Sequence, residues 1–252
     1  MTLKGKKLVI FDLDGTLTKS KSPIDGEMSD LICKLLNVAK VGIISGGGHP
    51  QFLTQFVNKL PASQENYGNL FLLPTSGTRM YIWRGGWHLE YAEDLNEKEK
   101  ARIMNVLDQV MHSPVYTKPD TVYGEIIEDR GSQITFSALG QKAPVEAKYA
   151  WDTDRKKREA IAEFIRKKIP EFDIRVGGAT SVDITRKGVN KAYGIMKLSQ
   201  LLKIPISEIV FVGDALFYGG NDYPARTTGT DCVPVKGPEE TAGFIRSFLD
   251  AQ

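Results

Sequence analysis

The sequence has few of the features that mark several large classes of protein. Its 252 residues include only 2 cysteines and 3 histidines, and its net charge is +2. So small a basic excess argues against binding to nucleic acid or to an anionic membrane. No apolar stretch approaches the ~20 residues that a transmembrane helix needs. Cys33 and Cys232 are far apart and belong to no CxxC pair, which favours reduced thiols over a disulfide. We therefore expect a cytoplasmic protein whose partners are small molecules.

Short apolar runs alternate with helical patterns towards both ends of the chain. The runs are LVIF (8–11), VGIIS (41–45), LFLL (70–73) and IVFVG (209–213), and the helical patterns lie near 27–38, 49–59, 189–202 and 238–249. Continuous apolar strands separated by helices are typical of a parallel sheet that is covered on both faces. The predicted fold class is α/β, with a Rossmann-like parallel-sheet core.

The middle of the chain has a different pattern. Residues 79–93 alternate around Gly85 and Gly86, which indicates a hairpin. The following residues predict helices near 96–112 and 154–168, together with strands within 123–129, 132–138 and 173–185. This mixture indicates an inserted α+β domain. We predict a core formed by 1–91 and 188–252, and a second domain formed by 92–187.

Two aspartates directly follow the first apolar run, in the segment LVIFDLDGTLT. Residues two apart in an extended chain point to the same side, so Asp12 and Asp14 are predicted to stand together at the carboxyl end of this strand. Ligands bind at that edge of open α/β sheets. Neighbouring carboxylates repel each other, and a hard cation such as Mg²⁺ stabilises them. The backbone N–H groups of Gly15 and Thr16 are then expected to face an anion, most naturally a phosphate.

Three more polar residues stand where strands end or a helix begins. Ser45 closes VGIIS, Lys191 opens a predicted helix, and Asp214 follows IVFVG. Taken singly, each has a structural explanation: a serine caps a helix, a lysine in a first turn is solvated, and an aspartate forms a turn. Their joint occurrence in this order favours a phosphate site with a metal ion.

These residues carry a resemblance to a known family. FDLDGTLT, Ser45, Lys191 and GDALFYGGND resemble the four motifs of the haloacid dehalogenase superfamily of aspartate-based phosphotransferases. The insert resembles the mobile α/β cap of the subgroup with Cof-type sugar phosphatases, sucrose-phosphate phosphatase and eukaryotic-type phosphomannomutases. The last are most similar, because GDALFYGGND resembles their GDKTxPGGND and GGATSVDIT resembles their GGxxSFDV.

The resemblance implies a role for each core residue. Asp12 would attack phosphorus, and Asp14 would protonate the departing oxygen and later activate the acceptor. Mg²⁺ would be held by Asp12, the backbone carbonyl of Asp14, and Asp214. Ser45 and Lys191 would hold the transferring phosphoryl group. The residues expected to support the metal site from its edge are Asn221 and Asp222.

The same comparison assigns substrate binding to the cap. Arg130, Ser181 and Asp183 lie where the mutases contact their substrate. Where that family carries further phosphate-binding arginines, this chain has Lys21, Gln141 and Lys148. Neither glutamine nor lysine offers phosphate the bidentate fork of arginine. The mutases dimerise through the cap, so a homodimer through this domain stays open.

Three functions remain open. A Mg²⁺-dependent phosphatase of a sugar phosphate or similar small phosphomonoester is favoured, because the clamp for a second phosphate is weakened and SGGG places its hydroxyl directly after the strand. A phosphomannomutase, whose acceptor is a sugar hydroxyl, is the alternative. A non-catalytic phosphosugar-binding protein is disfavoured, because it has little need for both Asp12 and Asp14.

Overall fold

The chain leaves its first compact unit after Ala92 and returns to it at Asn190; the second compact unit comprises Glu93–Val189. The computed structural model describes residues 2–19, 22–61 and 66–252. The sequence prediction placed the two divisions after residues 91 and 187, within two residues of these positions.

The elements follow one another along the described chain. The strands are β1 (Leu8–Asp12), β2 (Lys40–Ile44), β3 (Leu70–Leu73), β4 (Arg79–Trp83), β5 (Trp87–Ala92), β6 (Ile127–Asp129), β7 (Ile134–Ser137), β8 (Phe172–Val176), β9 (Ser181–Arg186), β10 (Ile209–Gly213) and β11 (Asp231–Pro234). The α-helices are α1 (Gly26–Leu36), α2 (His49–Gln55), α3 (Glu97–Met111), α4 (Val145–Trp151), α5 (Lys156–Lys168), α6 (Lys191–Leu202), α7 (Tyr223–Arg226) and α8 (Pro238–Asp250).

The first unit is built on a seven-stranded sheet with the order β11-β10-β1-β2-β3-β4-β5. Strands β11, β10, β1, β2 and β3 are parallel to one another, and β4 and β5 add an antiparallel hairpin. Val9 and Phe11 belong to the apolar cluster that includes residues of α1 and α8, whereas Leu8 and Ile10 belong to the cluster that includes residues of α6. Since both faces of β1 are covered, the strand is apolar at successive positions. The predicted α/β class with a parallel-sheet core is confirmed.

The second unit is built on a four-stranded antiparallel sheet with the order β6-β7-β9-β8. Phe136 and Ile184 lie on its apolar face, in a cluster with residues of α3 and α5 such as Leu107 and Ile165. Alternate positions on β7 and β9 point to the opposite face. Those positions are polar, and they are Thr135, Ser137, Ser181, Asp183 and Thr185.

Among the described residues, none of the helices combines the length and the apolar character that a membrane span requires.

Some elements differ from their sequence prediction. The helix predicted over 49–59 ends at Gln55, because Phe56 has the non-helical angles φ −124° and ψ −67°, and a 3₁₀ turn over Val57–Lys59 follows. The strand predicted within 123–129 is confined to β6, since Gly124 has φ +78°, which extended strands do not use. Helix α4 and strand β11 were not predicted.

Candidate active site

Three parallel strands bring the predicted core residues to one edge of the first sheet. Asp12 pairs with Ile44 across β1 and β2, and Phe11 pairs with Val212 across β1 and β10. Ser45 and Asp214 directly follow the paired segments of β2 and β10, so they lie beyond the same carboxyl edge as Asp12. This edge is where open α/β sheets bind ligands.

Lys191 forms a buried bridge between two aspartates. Its Nζ lies 2.5 Å from Asp12 Oδ1 and 2.5 Å from Asp222 Oδ1. The Asn190 side chain accepts a hydrogen bond from Ala192 N and caps α6, so the helix begins at Lys191. Burial disfavours the charged ammonium, but Asp12 and Asp222 outweigh burial and raise the pKa of Lys191 above its usual value. Lys191 therefore carries its positive charge, and two of its three N–H groups are used by carboxylates.

Three carboxylates cluster around this lysine. Asp12, Asp214 and Asp222 each offer an oxygen atom, and these atoms all lie within 4.8 Å of one another. One ammonium does not balance three carboxylates. Burial raises the pKa of Asp12 well above its usual value, although Lys191 opposes the rise. Loss of water around Asp214 and repulsion by Asp222 raise the pKa of Asp214 to about 6.

This cluster fits a divalent cation. Asp12 Oδ2 is buried and has no hydrogen-bond partner within the described part of the chain. Three buried or partly exposed carboxylates around one ammonium offer the oxygen ligands that a hard cation such as Mg²⁺ prefers. Asp12 and Asp214 were predicted metal ligands. Asp222, which was expected only to support the site from its edge, is in the cluster itself.

Asp222 reaches the cluster from the loop that follows β10. Besides bonding Lys191, its Oδ2 accepts a hydrogen bond from Ala215 N at 3.0 Å. Gly213 leaves room for it, because a Cβ at that position would clash with the Asp222 carboxylate. Asn221 precedes it and is half-buried.

The turn after β1 does not use its N–H groups as the sequence predicted. Gly15 N donates to Thr18 O at 2.7 Å and Thr16 N donates to Leu13 O at 3.4 Å, so the expectation that these groups face an anion is wrong. Gly15 has φ +87°, and a Cβ there would lie 2.6 Å from Asp214 Oδ2. Thr16 Oγ1 accepts a hydrogen bond from Asp214 N at 3.1 Å. The turn therefore positions Asp214.

Asp14 lies outside the carboxylate cluster. Its Oδ2 accepts a hydrogen bond from Gln51 Nε2 at 3.1 Å, and its Oδ1 accepts one from Gln55 Nε2 at 3.5 Å. Sequence reasoning missed both glutamines. The available signal was their spacing of four residues on a helix that starts just after the SGGG segment.

Ser45 is held by backbone contacts on both sides. Its N–H donates to Leu73 O at 3.3 Å, and its carbonyl accepts from Ser76 N at 2.8 Å. Its Oγ accepts from Gly47 N at 3.4 Å. A hydroxyl that accepts one hydrogen bond still has its own proton to donate, so the side chain can serve a phosphoryl oxygen.

Arg130, Gln141 and Lys148 form one group in the second unit. Arg130 Nη2 lies 2.6 Å from Glu128 Oε2 and 3.4 Å from Gln141 Oε1. Lys148, which is 6% exposed, donates from Nζ to the backbone carbonyl of Gln141 at 3.3 Å. The Arg130 charge is therefore already engaged by a carboxylate.

Ser181 and Asp183 lie on the polar face of the same sheet. Ser181 Oγ is 3.0 Å from Ser137 Oγ, and Asp183 Oδ1 accepts from Thr135 Oγ1 at 2.7 Å. Thr135 also pairs with Glu128 across β6 and β7. The structure thus brings Ser181 and Asp183 to one sheet face and groups Arg130 with Lys148 through Gln141, while Lys21 falls outside the described residues.

Comparisons with known proteins agree with these motifs. A family model described as haloacid dehalogenase-like hydrolase matches residues 9–224. Phosphomannomutase 2 of Dictyostelium discoideum is 23% identical over 256 residues, which cover 99% of this chain and 99% of that protein. The phosphomannomutase of Schizosaccharomyces pombe is 26% identical over 257 residues, which cover 97% of this chain and 95% of that protein.

Solved structures show the same fold. The N-terminally truncated IMP-nucleotidase of Plasmodium falciparum has a TM-score of 0.74 at 17% identity, covering 98% of this chain and 71% of that one. The predicted family resemblance is confirmed, because the family model matches most of the chain. This protein belongs to the haloacid dehalogenase-like hydrolases and is an enzyme of that family.

Proposed function

We propose that the protein is a phosphatase that transfers the phosphoryl group of a sugar phosphate, or of a similar small phosphomonoester, to Asp12 and then to water. The observation that carries the proposal is the state of the Asp12 carboxylate. Its Oδ1 is fixed by Lys191 and its Oδ2 is buried with no hydrogen-bond partner among the described residues. One oxygen is held, and the other has a lone pair available for phosphorus.

In the first step, Asp12 Oδ2 forms a bond to phosphorus while the bond from phosphorus to the substrate oxygen breaks. Asp14 gives a proton to that departing oxygen. In the second step, a water oxygen attacks the phosphorus of the aspartyl-phosphate and Asp14 takes the water proton. The Asp12 carboxylate leaves with its bonding electrons, so inorganic phosphate departs and the enzyme returns to its starting state.

The transferring group carries its charge on three equatorial oxygens, so catalysis depends on nearby positive charge and hydrogen-bond donors. Lys191 has one N–H left beyond its bonds to Asp12 and Asp222, and Ser45 Oγ has its proton. Asp12, Asp214 and Asp222 would hold Mg²⁺, with the Asp14 carbonyl as a further ligand. The ion would supply the charge that offsets both the carboxylates and the phosphate.

The second unit favours water over a sugar hydroxyl as the acceptor. A mutase must grip a bisphosphate at both ends, which calls for unengaged guanidinium groups. Here Arg130 is paired with Glu128 at 2.6 Å, and the family resemblance expects arginines where this chain has Gln141 and Lys148. The hydroxyls and the carboxylate on the polar face of the β6-β7-β9-β8 sheet suit the hydroxyl groups of a sugar.

The alternative is a phosphomannomutase, in which a sugar hydroxyl takes the phosphoryl group from Asp12. The observation in its favour is that the curated relatives described above, which align with nearly the whole chain, are phosphomannomutases. The two functions share the step at Asp12 and differ in the acceptor alone.

A panel of phosphorylated sugars assayed with Mg²⁺ separates them. Mannose-1-phosphate with a trace of the 1,6-bisphosphate is included, and released phosphate and mannose-6-phosphate are scored side by side. Phosphate release without isomerisation supports the phosphatase, and bisphosphate-dependent isomerisation supports the mutase. Asp12→Asn should abolish either activity, whereas Asp154→Asn, which removes an exposed carboxylate of the second unit, should not. Activity that survives Asp12→Asn would refute both functions.

A further inference from the structure

The carboxyl group of Asp14 lies against two glutamine side chains of α2. Gln51 Nε2 donates to Asp14 Oδ2 over 3.1 Å, and Gln55 Nε2 donates to Asp14 Oδ1 over 3.5 Å. Residues four apart on a helix share one face, so a single helix turn supplies one donor to each carboxylate oxygen. We propose that Gln51 and Gln55 are positioning residues that fix the orientation of the Asp14 carboxyl group during phosphoryl transfer.

The surroundings hold both amides in place. Gln55 is 5% exposed, and its Nε2 also donates to the carbonyl of Ser22 at 3.0 Å. A Cβ at Gly47 would lie 2.5 Å from Gln51 Oε1, so the Gln51 amide takes this position because residue 47 has no side chain. Gly47 N is bonded to Ser45 Oγ as well. One short segment therefore places both the hydroxyl of Ser45 and the amide of Gln51.

The two amides set the direction of Asp14 independently of the cation site. The carboxylates that cluster for a cation are Asp12, Asp214 and Asp222, so a bound ion would not aim the side chain of Asp14. Glutamine is a neutral donor. It therefore orients the carboxyl group without adding charge to a site whose charge is already set by Lys191 and three aspartates.

This inference rests on the proposed function, in which Asp14 gives a proton to the leaving oxygen and then takes one from water. Both transfers need the Asp14 carboxyl group within hydrogen-bond reach of the reacting oxygen, which is the leaving oxygen in the first step and the water oxygen in the second. A displacement of about 1 Å can cost about 100-fold in rate. Loss of either amide should therefore slow the steps in which Asp14 gives or takes a proton. A phosphoryl transfer that needs no proton from Asp14 should keep its rate.

The test compares two substrates that differ in their need for a proton. The oxygen of a sugar phosphate leaves slowly unless it is protonated, whereas p-nitrophenolate leaves as an anion. The ratio kcat/KM reports steps up to the first phosphoryl transfer. With Mg²⁺ present, we expect Gln51→Met and Gln55→Met each to lower kcat/KM for the sugar phosphate by about 10- to 100-fold. For p-nitrophenyl phosphate, we expect a loss below about threefold, because that leaving group bypasses the acid.

Thr54→Ala is the matched control. Thr54 lies on the same helix and is exposed. Its hydroxyl donates to the carbonyls of Pro50 and Gln51, so kcat/KM should not change for either substrate. Thermal unfolding checks that the variants fold. If Gln55→Met does not fold, Gln51→Met alone tests the inference, because Gln51 is only half-buried. Equal losses on both substrates, or no loss on either, would overturn the inference. A wild-type protein that released phosphate from neither compound would instead refute the proposed function.

Discussion

Replacing Lys191 by methionine should destabilise the protein strongly, because the lysine is the positive charge between two buried aspartates. Its Nζ lies 2.5 Å from an oxygen of Asp12 and 2.5 Å from an oxygen of Asp222, and the three side chains are at most 2% exposed. Methionine has a similar length and no charge. In Lys191→Met the two carboxylates would face each other in the interior without compensation.

Removing one partner of a buried ion pair costs about 3–5 kcal/mol, since an unpaired charge is left out of water. We expect a loss of that size in the free energy of unfolding, measured by urea denaturation in EDTA at pH 8. Adding Asp222→Asn to Lys191→Met should recover part of the loss, because it removes one of the two repelling charges. Phosphate release should fall together with stability.

Lys34→Met serves as the control, since Lys34 is an exposed lysine of α1 and its charge should contribute less than about 1 kcal/mol. If Lys191→Met were no less stable than Lys34→Met, or if Asp222→Asn deepened the loss, the argument from buried charge would be refuted.

Three further predictions concern the cation site and the second unit. Because the folded protein raises the pKa of Asp12, and that of Asp214 to about 6, it binds protons more tightly than the unfolded chain. The free energy of unfolding, measured by urea titration in EDTA, should therefore fall as the pH rises from about 4 through 6 and above. The fall should be smaller with Mg²⁺ present. A rise over that pH range in EDTA would contradict the raised pKa values of these two aspartates. Gly15→Ala should weaken Mg²⁺ binding by at least about 10-fold in calorimetry, because its Cβ would lie 2.6 Å from Asp214 Oδ2. Gly5→Ala is the control, since Gly5 has φ +82° and nothing lies within 4 Å of its Cβ. If both variants weakened Mg²⁺ binding equally, the contact with Asp214 would not be the cause. Arg158→Met should lower the free energy of unfolding by about 3 kcal/mol, because Arg158 Nε lies 2.8 Å from an oxygen of buried Asp152. Lys156→Met is the control, since the ion pair of Lys156 with Asp154 is exposed, and denaturant unfolding should show no comparable loss for it. Equal losses would mean that burial of the Arg158 pair makes no difference to stability.

The local sequence was enough to predict much of the site. Apolar runs bounded by polar residues marked the carboxyl ends of β1, β2 and β10, and the carboxyl ends of parallel strands meet at one edge. Asp12, Ser45 and Asp214 could therefore be placed together without a structure. Lys191 was predicted at the start of a helix, where Asn190 caps it. The sequence likewise predicted strands within 132–138 and 173–185, where β7, β8 and β9 lie.

Tertiary structure alone decided how these side chains are connected. Lys191 bonds Asp12 from 179 positions away along the chain and Asp222 from 31 positions away. Gln51 and Gln55 reach Asp14 across 37 and 41 positions, and the N–H groups of Gly15 and Thr16 turned out to bond within their own turn. Strand periodicity is a local property that the order of residues sets directly. Which side chain meets which carboxylate depends on loop conformation and on packing between distant segments, and no short stretch of sequence contains that information.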